Sequence, residues 1–262
     1  FDANKQVFEE IFATYDDSTE YETKLGYGTD RGYNSWIQSM ALDSRHEGGK
    51  CLFLSTSQGG VMHVDLRSRG KITFDRELSP KKINTVSLHP NGHSMATAGL
   101  SGVVQLWDVR QMPSSSDGSK KQPKPLAWQP VGRSINSAFF SPTGGRLVTT
   151  TMSDKLEILE DFHMSTGLTQ PKTDIRHNNQ TGRWLSTLMA RWHPALDDRE
   201  IFVVGSMQQP RTIEVFASDG ELLREIRGDA LTAVASRCCF HPNPDRLVVV
   251  GGNSSGRVTV AR

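Results

Sequence analysis

The sequence is short of several things, and each shortage narrows its class. Three cysteines in 262 residues, two of them adjacent (Cys238 and Cys239), cannot build a disulfide framework and lack metal-ligand spacing. Such usage points to a reducing, intracellular compartment. No apolar run approaches the ~18 residues of a membrane span, and no signal-peptide pattern opens the chain, so no membrane partner is expected. The net charge of +1 excludes a globally basic nucleic-acid sponge, and any DNA contact has to come from a local patch. Nothing pairs a nucleophile with an oriented base, and no phosphate-binding glycine loop precedes a helix; an enzyme, a metal and a cofactor are not expected. What remains is ordinary: 36% hydrophobic, 8% aromatic and 23% charged residues.

What the chain does have is repetition. Four units share one order: an apolar strand, a turn usually holding Pro, an apolar strand ending in small or hydroxyl residues, a tight turn, and an alternating strand. The clearest runs Ile83–Leu88, His89-Pro90-Asn91-Gly92, Ser94–Ala98 and Val103–Asp108. The next runs Ile135–Phe140, Ser141-Pro142-Thr143-Gly144, Arg146–Thr151 and Leu156–Glu160. Pro90 and Pro142 stand 52 positions apart, as do Asp108 and Glu160. His193-Pro194 and His241-Pro242 mark two later units, and an earlier one (Ile37–Leu42, Leu52–Ser55, Val61–Asp65) lacks the Pro turn. Asp65 and Asp108 are 43 apart, within the ~40–45 of WD repeats. A fourth strand precedes each new unit, as in Lys71–Phe74 and Leu126–Trp128. Four-stranded antiparallel units at this period predict an all-β, WD-repeat β-propeller as one domain over 1–262. The blades are expected at about 35–78, 82–129, 134–172, 185–227 and 233–262, with a polar Pro/Ser/Lys-rich loop insertion at 113–125.

The start of the chain admits two readings. Phe1-Asp2 resembles the end of a third strand and Val7–Phe12 the outer strand after it, giving a partial leading blade at 1–12 and a fragment of a larger ring. Alternatively, Val7–Phe12 pairs beside Arg257–Ala261 and closes a five-bladed ring.

The three His-Pro pairs recur at one register in different blades, too far apart to share a metal, and read as turn chemistry. Gly251–Gly256 lies between two strands and reads as a hairpin turn. Trp107-Asp108-Val109-Arg110 carries the one full Trp-Asp. Trp107 is expected between blades and Asp108 at a turn, whereas Arg110 lies past the strand end, and Arg67 repeats it one blade earlier. Arg176-His177-Asn178-Asn179-Gln180-Thr181-Gly182-Arg183-Trp184-Leu185 reads either as a surface loop whose Trp184 tucks back into the blade, or as a hairpin that offers Arg183 to phosphates and Trp184 for stacking or wedging.

Ile175–Pro194, Val204-Gly205-Ser206-Met207 with Pro210-Arg211, and Gly251–Gly256 resemble one family. It holds WD repeat-containing protein 76, the fungal changed-mutation-rate protein and the small WD-repeat subunit of the UV-damaged-DNA-binding complex. The resemblance runs over nearly all the chain, most specifically from Lys81 to Gly256, and implies a nuclear, seven-bladed ring of which this chain is a fragment. In the damage-binding subunit a basic cluster precedes the strand matching Ile83–Leu88, and Lys82 falls on it. Trp-Asp-x-Arg stands where Trp107–Arg110 stand and faces the adaptor of the cullin-4 ubiquitin ligase. A Phe-Gln-His hairpin enters the DNA at the lesion; here Gly182-Arg183-Trp184 departs from it.

Strand direction sorts these residues. The loop before a first strand and the turn between strands two and three share one face, which gathers Lys81, Lys82, Arg133, Arg176, Arg183, Trp184 and Arg211, with Asp154 and Asp229 as acidic dilution. Arg67, Trp107, Asp108, Arg110 and the lysines of the insertion belong to the opposite side. The first set is expected to bind DNA, single- or double-stranded and with UV-damaged DNA as a candidate preference, in a nuclear damage response. The second set is expected to meet the ligase adaptor or chromatin proteins; the alternative function is a scaffold serving as a cullin-4 substrate receptor.

Overall fold

Runs such as Ser94–Gly99 and Ile135–Phe140 hold apolar or small hydroxyl residues at nearly every position, which suits strands buried on both faces. The computed structural model describes residues 35–43, 50–68, 71–112, 122–182, 185–195, 199–229 and 231–262, and there these runs form five sheets. The first blade is β1 (Ile37–Leu42), β2 (Cys51–Thr56), β3 (Gly60–Asp65) and β4 (Lys71–Glu77), paired in that order. The second is β5 (Ile83–Leu88), β6 (Ser94–Gly99), β7 (Val103–Asp108) and β8 (Ala127–Pro130). The third begins with β9 (Ile135–Phe140), β10 (Arg146–Thr151) and β11 (Lys155–Glu160). After β12 (Gly167–Leu168) it is completed by β13 (Thr173–Arg176). The fourth is β14 (Arg191–Trp192), β15 (Ile201–Gly205), β16 (Ile213–Ala217) and β17 (Leu222–Ile226). The fifth shows β18 (Arg237–Phe240), β19 (Val249–Gly252) and β20 (Val258–Ala261). Apart from β12, the strands within each blade run antiparallel, as expected for a propeller.

The core lies between blades rather than inside them. Phe53, Val61 and Phe74 of the first blade pack with Val86, Met95 and Trp107 of the second. Ala96, Val104 and Leu106 of the second meet Ile135, Leu147 and Leu159 of the third. Phe139, Val148 and Ile158 continue to Ala190, Phe202 and Val204, and Val203, Ile213 and Val215 continue to Cys238, Phe240 and Val249. Alternate residues of one strand therefore serve opposite neighbours, which is why β6, β9 and β15 are buried throughout.

The innermost strand of a blade has an unpaired backbone edge, and hydroxyls fill it. The Val86 N–H donates to Ser39 Oγ at 3.5 Å, Ala138 N–H to Thr85 Oγ1 at 3.1 Å and Phe140 N–H to Ser87 Oγ at 3.0 Å. The Ala190 N–H donates to Thr150 Oγ1 at 2.9 Å. Each bond joins one blade to the next, so the hydroxyls scattered through apolar strands both satisfy buried N–H groups and fix blade-to-blade register.

Two expectations need correction. The span 134–172 stops short of the third sheet, whose outer strand is β13. Gly167–Leu168 instead adds a parallel fifth strand to the second blade, with Gly167 N–H on Leu126 O and Thr169 N–H on Trp128 O. The outer edge of β8 offers unpaired carbonyls that capture the passing chain. Consequently Arg176 lies not in a loop but at the end of β13, opposite Lys155. Val7–Phe12 and most of the 113–125 insertion lie outside the described residues, as do Arg183 and Trp184.

Candidate nucleic-acid interface

Tight turns between second and third strands demand a left-handed residue, and Gly59, Gly102 and Asp154 supply it with φ of 86°, 73° and 57°. Their carbonyls clasp the chain leaving the outer strand: Leu78 N–H donates to Gly59 O at 3.0 Å, Val131 N–H to Gly102 O at 2.7 Å and His177 N–H to Asp154 O at 3.0 Å. A second clasp holds the chain entering the next blade, with Leu100 N–H on Lys82 O at 2.9 Å and Met152 N–H on Ser134 O at 2.8 Å. A Cβ on Gly102 would sit 2.9 Å from Arg133 O, so the turn and the incoming loop are nearly in contact. These bonds put the two kinds of connection on one face.

That face brings Lys81, Lys82 and Arg133 together in sequence register. Lys81 and Arg133 occupy equivalent positions beside Gly59 and Gly102, and both are exposed; Lys82 is half-buried. Among the described residues none of these three, nor the exposed Arg176, makes an ion pair. Asp154 dilutes the field less than its charge suggests. Its Oδ1 accepts from Asn179 N–H at 3.0 Å and from Gln180 Nε2 at 3.1 Å. Arg211 is spent on its own turn, donating from Nη1 to Met207 O at 2.7 Å and Gln208 O at 3.3 Å.

The segment before Gly182 is held by a buried network. His177 Nδ1 lies 2.7 Å from Asn179 Oδ1, and Asn179 Nδ2 donates to Thr151 O and Lys155 O. His177 Nε2 approaches Glu214 Oε2 of the fourth blade at 3.5 Å. The described chain thus reaches Gly182 from a fixed support.

On the opposite face one device appears twice. Asp108 Oδ1 accepts the Arg110 N–H, capping a short 3-10 turn, and both oxygens receive the same guanidinium, Nε and Nη2 each at 2.9 Å. Asp65 does the same for Arg67, at 2.9 Å from Nε and 2.7 Å from Nη2. The Arg110 hydrogen bonds hold the Asp108 carboxyl below its ordinary range, against the opposing effect of burial. The side chains of Arg110 and Arg67 remain 61% and 49% exposed, so each fork is fixed yet offers its outer edge.

The His-Pro pairs behave as turn chemistry. His89, His193 and His241 each accept at Nδ1 the backbone N–H two residues on, at 3.0, 3.2 and 3.1 Å. Among the described residues no group of three or more His, Cys, Asp or Glu side chains could hold a metal ion. Sequence reasoning overlooked Arg191 and Arg237, charged positions in the otherwise apolar first strands of the last two blades; that mismatch with their strands was the available signal.

Comparison with known proteins agrees with this architecture. Residues 73–108 match the family described as "WD domain, G-beta repeat". The chain is 33% identical over 229 residues to the DNA damage-binding protein CMR1 of Chaetomium globosum, covering 83% of this chain and 42% of that protein. It is 40% identical over 206 residues to the WD repeat-containing protein 76 of Mus musculus, covering 77% of this chain and 31% of that protein. The chain therefore spans 31% to 42% of the length of these curated relatives. A solved structure titled "Crystal Structure of Mitotic Checkpoint Complex" superposes with a TM-score of 0.64 over 86% of this chain and 62% of the other, at 13% identity, a likeness of fold alone. Repeat, sheet order and sequence likeness agree: the chain is a WD-repeat β-propeller, similar over most of its length to WD repeat-containing protein 76 and the CMR1 proteins.

Proposed function

We propose that this chain is a nuclear DNA-binding platform in the DNA damage response, gripping phosphates with its loop face. The observation that carries the reading is the pair Lys81 and Arg133, exposed, without ion pairs among the described residues and in equivalent positions on neighbouring blades, with Lys82 beside them. Two cations repeated along a rigid rim suit a backbone that repeats its own charge. The names of the relatives, DNA damage-binding protein among them, support the same direction. Arg176 extends the patch outward, and Arg183 and Trp184 would complete it. Arg211 acts as scaffold for its turn. No group on this face is asked to perform chemistry; the site binds.

The test is a filter-binding titration with undamaged and UV-irradiated duplex at several salt concentrations. Lys82→Ala and Arg133→Ala should each weaken binding to every sequence and flatten the plot of log K against log salt by about one unit. Trp184→Ala should cost affinity, most on distorted DNA, and leave the slope nearly unchanged. If all three bind as wild type does, the DNA reading fails.

A second reading has its own observation, the twice-built Asp–Arg fork of the opposite face. There the chain would dock a protein, in particular the adaptor of a cullin-4 ligase, leaving the loop face free for DNA.

A further inference from the structure

At four places the inner edge of the stack is sealed by hydroxyls, but where the fourth and fifth blades meet it carries guanidiniums. Counted back from the turn after the first strand, Arg191 and Arg237 stand where the second blade has Ser87 and Thr85. The two strands are neighbours: Met189 and Arg237 form a parallel bridge. Arg191 stands over the Phe139 ring, its Cζ 3.6 Å from the ring centre. Arg237 is tethered through Nη1 to the Thr187 carbonyl. Among the described residues neither guanidinium has an ion-pair partner. Partial desolvation of each guanidinium pushes both below the ordinary arginine range, and for Arg191 the charge of Arg237 adds to the push. Both arginines are exposed along their strands, so a ligand can reach them, and the cost of two like charges that act on one another is relieved when an anion joins them.

We propose that this inner edge is a phosphate-binding subsite, with Arg191 and Arg237 as its donors. A phosphate offers several acceptor oxygens to two planar forks, and its charge offsets their repulsion. Where that phosphate belongs to a DNA strand the inference rests on the function proposed above; a free phosphate would satisfy the same two donors. No bond is made or broken at the site.

The experiment has two arms. In the first, thermal unfolding is followed in inorganic phosphate and in sodium chloride of matched ionic strength. Wild type should be raised by phosphate specifically, and Arg191→Gln or Arg237→Gln should weaken the apparent phosphate affinity about tenfold or more. Arg191→Lys, which keeps the charge while losing the fork, should fold as wild type does and respond to phosphate less. In the second arm a labelled single-stranded oligonucleotide is titrated against salt. If the phosphate comes from the strand, Arg191→Gln lowers the slope by about 0.7, additively with Lys82→Ala. An unchanged slope beside a lost phosphate response assigns the subsite to free phosphate. If Lys82→Ala leaves DNA binding intact while Arg191→Gln abolishes the phosphate response, the loop-face reading fails and the subsite stands. A phosphate response no larger than that of chloride, or variants that respond as wild type does, would overturn the subsite.

Discussion

Glu157 and Gln105 hold the same place in successive blades, the third residue of the third strand, each directly across from a threonine (Thr149 and Thr97). An amide is tolerated there at any pH, whereas a carboxylate is not. Glu157 is 5% exposed, its Oε2 meets no donor among the described residues, and Asp174 lies opposite on β13. Burial first, and then the Asp174 charge, push its pKa from 4.5 up to about 7. A folded pKa above the unfolded one means the folded protein keeps a proton that the unfolded chain has released. The stability this contributes is full below about pH 4.5 and is lost as the pH rises through 7. Glu157→Gln should therefore equal wild type near pH 4.5 and exceed it by about 1–2 kcal/mol at pH 8, after allowance for solvent screening. Urea unfolding at the two pH values checks this; a variant less stable at pH 8 would mean that the carboxylate makes a favourable contact. Trp107 shows the same repeat logic. Its indole N–H donates to Thr97 Oγ1 at 2.8 Å and its ring fills the gap to the first blade, while the third blade manages with Leu159.

At the scale of elements, the hydroxyl bonds along the innermost strands are the joints of the stack. Thr85 and Ser87 alternate with Val86 on β5, so one strand sends hydroxyls to β9 at two successive rungs. Thr85→Val keeps the volume and removes the acceptor, leaving the buried Ala138 N–H unsatisfied. It should cost about 1–3 kcal/mol, and Ser87→Ala a similar amount through Phe140. Denaturant midpoints for the two variants and their double form a direct check. Because both residues join the same pair of strands, the double should depart from additivity; a cost near zero would show that water replaces the hydroxyl. The parallel strand β12 illustrates the opposite situation. An outer edge left open by β8 was covered by whatever chain passed it, and here that was the connection of the following blade.

For the whole molecule, the clasps lie on one face and the Asp–Arg forks on the other, so the two proposed contacts can be tested separately. Arg110→Ala removes one fork and leaves Trp107 buried in its packing, so the fold should persist. Co-purification with the cullin-4 adaptor should fall, further when Arg67→Ala is added, while DNA affinity and its salt slope stay as in wild type. Persistence of the association in the double variant, or none in wild type, would reduce the forks to turn caps. Loss of DNA binding in Arg110→Ala would dissolve the division into two sides.

Much of this was legible in the sequence because it is local. Strands announce themselves through apolar runs bounded by Pro, Gly and Asn, and the His-Pro turns need only their own next two residues. Repetition then fixes the architecture, since a four-stranded blade with two apolar faces is buried only by another like it. The loop face was legible too, because antiparallel strands sort connections by parity alone. What tertiary structure decided were the partners that no local pattern names. The sequence could not say that Arg211 turns back onto its own carbonyls, that Asp154 is occupied by Asn179, or that Gly167–Leu168 joins the preceding blade. Nor could it show that Arg191 and Arg237 converge, because a charge in an apolar strand can face solvent, a carboxylate or another charge. Only the rotation between neighbouring sheets, set by side-chain packing across the whole interface, selects among them.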